Sequence, residues 1–397
     1  MKKHVVIAWE LGAALGHVMG FRALAIGLLA QNMKVSIVGR NLASVQQVLS
    51  DLDVTFYQSP ISLSERRERL KATFSYSDII HDLGYESDQS LLGLTKGWSN
   101  LFELIKPDLV ICDHSPTALL VCKCLDIQSC TFGNGFFLPP DTKGPVLFQQ
   151  TDAITTQDVN QRYLTVVENI NLVLKAYGRN SINVLYDLFR DSTHFLCTFS
   201  EIDHYQRSGD SEYYGPRNTT NTGITVPLKP SQKVVFAYLQ PRTQLLVPLI
   251  KSLAKLSIKS VLFIPKAPAE LVSSIQESTN IELYDRPVNI SKIFEQTVLL
   301  INNASHGLVG EAILHGKPNL LLPYQLEQNI LARKTSSQKL SIALNADSKI
   351  DIDSAIHFAL NNKDLADRLN RVKQKYSHYR HEEAIASILD QCSRLLK

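Results

Sequence analysis

Short runs of β-branched and apolar residues alternate with stretches that repeat apolar positions at i, i+3 and i+4 along nearly the whole chain. His4–Trp9, Val35–Val38, Val54–Tyr57, Leu109–Cys112, Ser129–Phe132 and His194–Thr198 read as strands. Val18–Ala30, Leu42–Ser50, Leu91–Lys106, Ser115–Leu125, Arg162–Lys175 and Ser181–Arg190 read as helices between them. The rhythm breaks at Tyr214–Pro230, a stretch rich in Gly, Pro, Thr and Asn that reads as a linker. It then restarts, with strands expected at Val234–Tyr238, Ser260–Ile264, Ile281–Tyr284, Val298–Asn302 and Asn319–Leu322. Strand–helix alternation of this kind predicts parallel sheets covered on both faces. The expected fold class is therefore α/β: two doubly wound, Rossmann-like domains in tandem, facing an interdomain cleft. The boundaries read from the pattern are 1–215 for the first domain, 216–232 for the linker and 233–376 for the second. A terminal helix, 377–397, has no strand to feed and must dock elsewhere.

Composition changes this picture little. The 397 residues suffice for two full cores, and 41 Lys+Arg against 38 Asp+Glu leave a formal charge of +3, too small to point to nucleic acid. No apolar stretch approaches the about 18 residues of a membrane span, and the N-terminus reads as a strand, with no secretory h-region. Six cysteines show neither a CxxC pair nor zinc spacing, which suggests free thiols in a reducing cytoplasm.

The strongest chemical pattern is Val298–Gln328: a strand, a polar turn at Asn303–Gly307, a helix, a second strand and another turn. Small turn residues let backbone approach a ligand, and the N–H groups opening the helix form an anion site suited to a diphosphate. Glu311, one turn into that helix, can accept two hydrogen bonds from a ribose diol, and Glu327-Gln328 offers a carboxylate and an amide to further hydroxyls.

With its Glu-x6-Pro-x4-Pro-x3-Glu-Gln spacing, this segment resembles the donor-binding motif of family-one glycosyltransferases of the GT-B fold. Thr131–Pro140, Glu201–Tyr205, Tyr214–Pro216 and Val235–Leu239 look like segments of bacterial members related to UDP-glucosyltransferases. The resemblance implies that Glu311 binds ribose and that Glu327 and Gln328 bind sugar hydroxyls. It adds Asn303, Ser305, His306, Gly307 and Val288 to the donor site, and implies a terminal helix that crosses back onto the first domain. Three positions depart from the family pattern. Asn303 stands where a diphosphate-binding His is usual, with His306 nearby; Leu308 replaces a Ser or Thr; and Asp285-Arg286-Pro287 lacks the base-stacking Trp, for which Tyr284 is the nearest substitute.

In the first domain, Glu10-Leu-Gly-Ala-Ala-Leu-Gly-His17 follows the first strand. It is not GxGxxG, and Gly39-Arg40 rather than an acid follows the second strand, which disfavours a nicotinamide dinucleotide. By the resemblance, His17 is the general base and Asp113, at the end of the fourth strand, orients it and compensates its charge; His titrates in the range such a role requires. Taken singly, His17 could be a helix residue satisfied by backbone and Asp113 a helix N-cap. His114 competes as base or acceptor contact, and Phe136 and Phe137, with Phe132 and Phe148, suggest an apolar or aromatic acceptor face. The segments 59–97 and 133–156 are expected to shape that pocket.

Asp51-Leu-Asp53 and Asp351-Ile-Asp353 mimic a DxD metal motif in the wrong context, so no metal and no cofactor are expected. The run Glu65–Lys71 reads as a solvated helix face. The implied activity is inverting transfer of a sugar from a nucleoside diphosphate donor, UDP-linked, to a hydroxyl of an unidentified acceptor. Two alternatives stay open: a nucleotide-sugar epimerase or hydrolase, which would act on donor alone, and a non-catalytic partner that activates a true transferase.

Overall fold

The computed structural model describes residues 2–12, 15–62, 72–148, 154–205, 207, 211–217, 223–242, 244–276, 278–345 and 351–397. The basic run at 65–71 lies outside them, as do parts of the two segments expected around the acceptor. The chain divides into two compact units: residues 1–198, 205–217 and 380–397 form the first, and 199–204 with 218–379 the second.

The first unit is built on six parallel strands, β1 (His4–Trp9), β2 (Lys34–Gly39), β3 (Thr55–Gln58), β4 (Leu109–Asp113), β5 (Ser129–Gly133) and β6 (Thr193–Leu196), in the order β3-β2-β1-β4-β5-β6. β1 is central and wholly buried, pairing Trp9 with Gly39 on one side and with Asp113 on the other. That register brings the ends of β1 and β4 side by side, where an open parallel sheet presents its functional loops. Helix Leu15–Ala30 covers one face through Val18, Phe21, Leu24, Ala25 and Leu28. The terminal helix His381–Leu395 inserts Ile388, Leu389 and Cys392 into the same apolar cluster, so residues 380–397 return to the first unit.

The second unit has six parallel strands, β7 (Val234–Tyr238), β8 (Lys259–Phe263), β9 (Ile281–Tyr284), β10 (Thr297–Asn302), β11 (Asn319–Leu321) and β12 (Ile342–Ala343), in the order β12-β11-β10-β7-β8-β9. Here β7 and β10 are the inner pair. The two-residue β12 carries too little pattern to be read from sequence.

Three other elements differ from the sequence reading. Ser181–Arg190 holds only a 3₁₀ turn at Leu185–Leu188. Side chains take the backbone groups a helix would use there: Asn171 brackets Ile182 through both ends of its amide, the Tyr163 hydroxyl accepts from Leu185 N, and Asp187 accepts from Asn183 N and Val184 N. Tyr76–Ile80 forms a short helix opened by a Ser75/Asp78 capping box and runs into a π turn at His81–Tyr85. Within the stretch expected as linker, Ile224 bridges to Val288 and Val226 is buried in the second unit, because their apolar side chains find a core there.

Among the described residues, no helix is long and apolar enough to cross a membrane. All six cysteines are buried and unpaired.

Candidate active site

The first constellation sits where β1 and β4 end. His17, in the first turn of the Leu15–Ala30 helix, lies with Nδ1 2.9 Å from Asp113 Oδ2. A carboxylate only accepts, so Nδ1 carries the hydrogen of this bond, and in the neutral ring Nε2 is then the nitrogen with the lone pair. Gly12, at φ +89°, lies beside Nε2: a Cβ there would stand 2.5 Å from that nitrogen. Glycine is thus required twice over, by the left-handed backbone and by the open space next to the imidazole.

Asp113 is fully buried. Burial pushes its carboxyl upward, but the charges of Arg217 and His17, with their hydrogen bonds, outweigh this and hold it at about 2. Arg217 Nη1 donates to the same oxygen, Oδ2, at 2.8 Å, and its guanidinium rests 5.2 Å above the Phe132 ring. Asp113 Oδ1 is buried with no hydrogen-bond partner among the described residues.

Aromatic rings order the space around the pair. Trp9 stacks on His17 at 5.4 Å, Phe137 lies 5.6 Å from the His17 ring, and His114 stacks on Phe137 at 4.4 Å. Phe136 meets Phe137 edge-on and stacks on Phe148, which faces Tyr205. The structure thus places Phe136, Phe137 and His114 near His17. His114 as a rival base fares differently. Burial, reinforced by the charge of His17, lowers it to about 3, so it is a neutral ring near neutral pH. It lines a cavity of about 20 Å³ with Tyr76, Ser115, Leu119 and Phe189.

Glu10 escaped the sequence reading as a functional group. It is buried at the end of β1, and Oε2 accepts from Thr117 N at 2.9 Å, at the start of helix Pro116–Leu125. Burial raises its carboxyl to about 7, against the opposing pull of Thr117, Ala118 and Arg40. Arg40, noted as the residue where a dinucleotide site would want an acid, donates to Glu10 O at 3.0 Å. The potential N-cap role of Asp113 passes to Ser115.

The second constellation belongs to the other unit. β10 ends in an Asx turn, with Ser305 N donating to Asn302 Oδ1 at 3.0 Å and Ala304 at φ +57°; Ser305 then caps the helix His306–His315 without a side-chain cap bond. The opening N–H groups of that helix carry the partial positive charge of a helix N-terminus. Asn303 spends both ends of its amide on backbone, Oδ1 accepting from Gln240 N and Nδ2 donating to Leu322 O, each at 2.7 Å. It therefore ties the ends of β7, β10 and β11 together, and one amide hydrogen is left for an anion. Glu311 is buried one turn in, with Oε2 3.7 Å from His315 Nδ1.

After β11, the helix Leu326–Ser337 carries Glu327 in its first turn and Gln328 behind it. Gln328 Oε1 accepts from Tyr324 N at 3.1 Å, so its amide NH₂ is the end available to a sugar hydroxyl. The Val288 side chain packs in a core cluster with Phe236, Ile290 and Leu308, so its backbone is the part that could meet a donor. The same cluster explains Leu308, whose side chain faces apolar neighbours where a hydroxyl would go unsatisfied. Tyr284 ends β9 with its hydroxyl on Glu282 Oε1.

His204 joins the two turns. It lies in 199–204, the short segment lent to the second unit, anchored by Phe199 and Ile202 among Ala304, Val309 and Leu331. Its buried ring stacks on His306 at 5.7 Å and reaches Glu327 Oε1 at 3.7 Å. Its segment Glu201–Tyr205 carried part of the resemblance, but with no role for His204. The DxD-like acids are engaged elsewhere: Asp51 with Arg22, Asp351 as the cap of helix Ile352–Asn361, and Asp353 with Lys255.

No family model and no curated protein matches the sequence. Solved structures do match in shape. The calicheamicin glycosyltransferase CalG4 aligns with a TM-score of 0.69 at 16% identity, covering 100% of this chain and 98% of that one. Glycosyltransferase VinC, in complex with dTDP, gives 0.67 at 15% identity over 99% of both chains. Glycosyltransferase SnogD from Streptomyces nogalater gives 0.63 at 14% identity over 98% and 100%. With two six-stranded parallel sheets flanked by helices and full-length agreement with these structures, the chain has the GT-B fold.

Proposed function

We propose that the protein is an inverting, metal-independent glycosyltransferase that acts in the cytoplasm. The observation that carries this reading is the buried Asp113–His17 hydrogen bond at the ends of β4 and β1, on a fold shared with glycosyltransferases. His17 Nε2 takes the proton of an acceptor hydroxyl as its oxygen attacks the anomeric carbon of the donor sugar. Asp113 holds the imidazole in the tautomer that leaves Nε2 basic and stabilises the imidazolium that forms. Phe137 lies against His17, Phe136 and His114 lie against Phe137, and together they favour an acceptor with an apolar or aromatic body. Six unpaired cysteines suit a reducing compartment.

The donor is a nucleoside diphosphate sugar, UDP-linked in our reading, held by the second unit. Glu311 accepts from the ribose, Glu327 and Gln328 serve the sugar hydroxyls, and the turn 303–307 with the helix behind it takes the diphosphate. Since Asn303 carries no charge, stabilisation of the leaving diphosphate rests on the helix N–H groups and the His306 side. The deciding experiment offers UDP- and dTDP-sugars to the purified protein, with and without a panel of phenolic and aliphatic alcohols, and reads products by mass spectrometry with EDTA present. Glycosylated acceptor supports the proposal. Conversion of donor alone points to an epimerase or hydrolase, and no turnover of any pair points to a non-catalytic partner.

A further inference from the structure

We infer that Arg217 is a third member of the His17–Asp113 pair, a positioning residue that keeps His17 unprotonated and ready to accept a proton. The inference rests on the reading of His17 as base. Its ground is that His17 Nδ1 and Arg217 Nη1 converge on one oxygen, Asp113 Oδ2, at 2.9 and 2.8 Å, while Oδ1 has no partner among the described residues. Two donors on one oxygen must lie within about 6 Å of each other, so the fixed guanidinium charge opposes a positive imidazole nearby. A carboxylate alone would favour imidazolium; a carboxylate already neutralised by arginine still orients the ring but favours its charged form less. Orientation and basicity are thereby separated, with Asp113 supplying the first and Arg217 restraining the second.

The surrounding fold is arranged for this contact. Tyr213 bridges to Leu196 at the end of β6, Tyr214 N and Gly215 N donate to Leu196 O and Thr198 O, and the chain arrives at Arg217 two residues later. The guanidinium then crosses the Leu15–Ala30 helix at Gly20, one turn beyond His17, where a Cβ would lie 2.6 Å from Arg217 Cδ. Glycine inside a helix costs roughly 0.5–1 kcal/mol relative to alanine, and passage of Arg217 accounts for that cost. The other ionisable groups near the pair are His114 beyond Phe137, Cys197 facing Asp113 and Arg217, and Arg40 and Glu10 at the ends of β2 and β1. His114 and Cys197 are both held neutral by burial near pH 7, so they do not replace the arginine charge.

The test follows the His17 ring by NMR, assigned among the 11 histidines by its loss in His17→Ala, together with the pH profile of kcat/KM. NMR separates His17 from Glu10, whose carboxyl is raised to about 7 and would also shape the profile. In Arg217→Gln, the His17 titration and the acidic limb of the profile should both move upward by about one pH unit, a tenfold change in proton affinity. Arg217→Lys should return both most of the way. Gly20→Ala, which removes a helix-weakening glycine and keeps the arginine while crowding its Cδ, should move them in the same direction by less. An unmoved titration in Arg217→Gln, or in Gly20→Ala should Arg217→Gln not fold, overturns the inference. So does a loss of rate that is uniform across pH, which would mark a purely structural residue. A shifted titration with full turnover in His17→Ala would leave the arginine's control intact and remove the base assignment instead.

Discussion

Acidification should weaken the first unit through one identifiable carboxylate. Asp113 is fully buried and its carboxyl sits at about 2, below the ordinary 3.8, because the charges of Arg217 and His17 and their bonds outweigh the upward push of burial. A carboxyl whose folded value is depressed stabilises the fold above its unfolded value and loses that contribution as pH falls through the folded value. The window is therefore pH 4 down to 2. A difference of just under two units, at about 1.4 kcal/mol each, makes the contribution about 2 kcal/mol. The assay is built into the sequence: the chain has two tryptophans, Trp9 and Trp98, both buried and both in the first unit. Urea unfolding read by tryptophan fluorescence thus reports this unit alone. Above pH 5, Asp113→Asn should be less stable by about 3 kcal/mol, since it leaves the Arg217 charge buried without its counter-ion. Between pH 5 and 2 the gap between wild type and variant should close by about 2 kcal/mol; other carboxylates titrate in both proteins and cancel. A gap that stays constant over that range would refute the account of Asp113.

Further expectations concern individual side chains. His17→Ala should lower kcat by roughly 10²–10⁴ while nucleotide affinity, measured by calorimetry, stays within about twofold; undiminished turnover would remove it as base. Glu311→Ala should weaken nucleotide binding by about 10–100-fold, the loss of a charged acceptor on the ribose, and calorimetry showing no change would exclude that role. His204→Phe, which keeps a ring against His306 but loses the contact to Glu327, should raise the donor KM about three- to tenfold with the acceptor KM unaffected. Glu10 runs opposite to Asp113: its raised carboxyl costs stability that appears as pH rises from 4.5 to about 7. Glu10→Gln should flatten the tryptophan-reported stability across that range, and an unchanged slope would show that Glu10 is not the group responsible.

Strand positions, their alternation with helices and the resulting α/β class were legible in the sequence, because apolar periodicity is set by neighbours only a few residues apart. β1, β7 and β9 begin and end where the pattern places them, and His17, Asp113, Ser305, Glu311 and Glu327 lie at or beyond the ends of β1, β4, β10 and β11. The pattern failed where side chains compete for backbone, as Asn171, Tyr163 and Asp187 do over Ser181–Arg190, and where an element is as short as β12. Local pattern also could not show what tertiary placement alone decides. Arg217 reaches Asp113 across 104 residues, His204 reaches Glu327 from far along the chain, and Val288 turns into a core. Hydrogen-bond partners and charge neighbours depend on which distant strands lie side by side, and that order is fixed by burial of whole sheet faces. The sequence by itself thus determined the elements and the residue types offered at their ends; the tertiary structure decided which of those residues share an oxygen, a ring face or a charge.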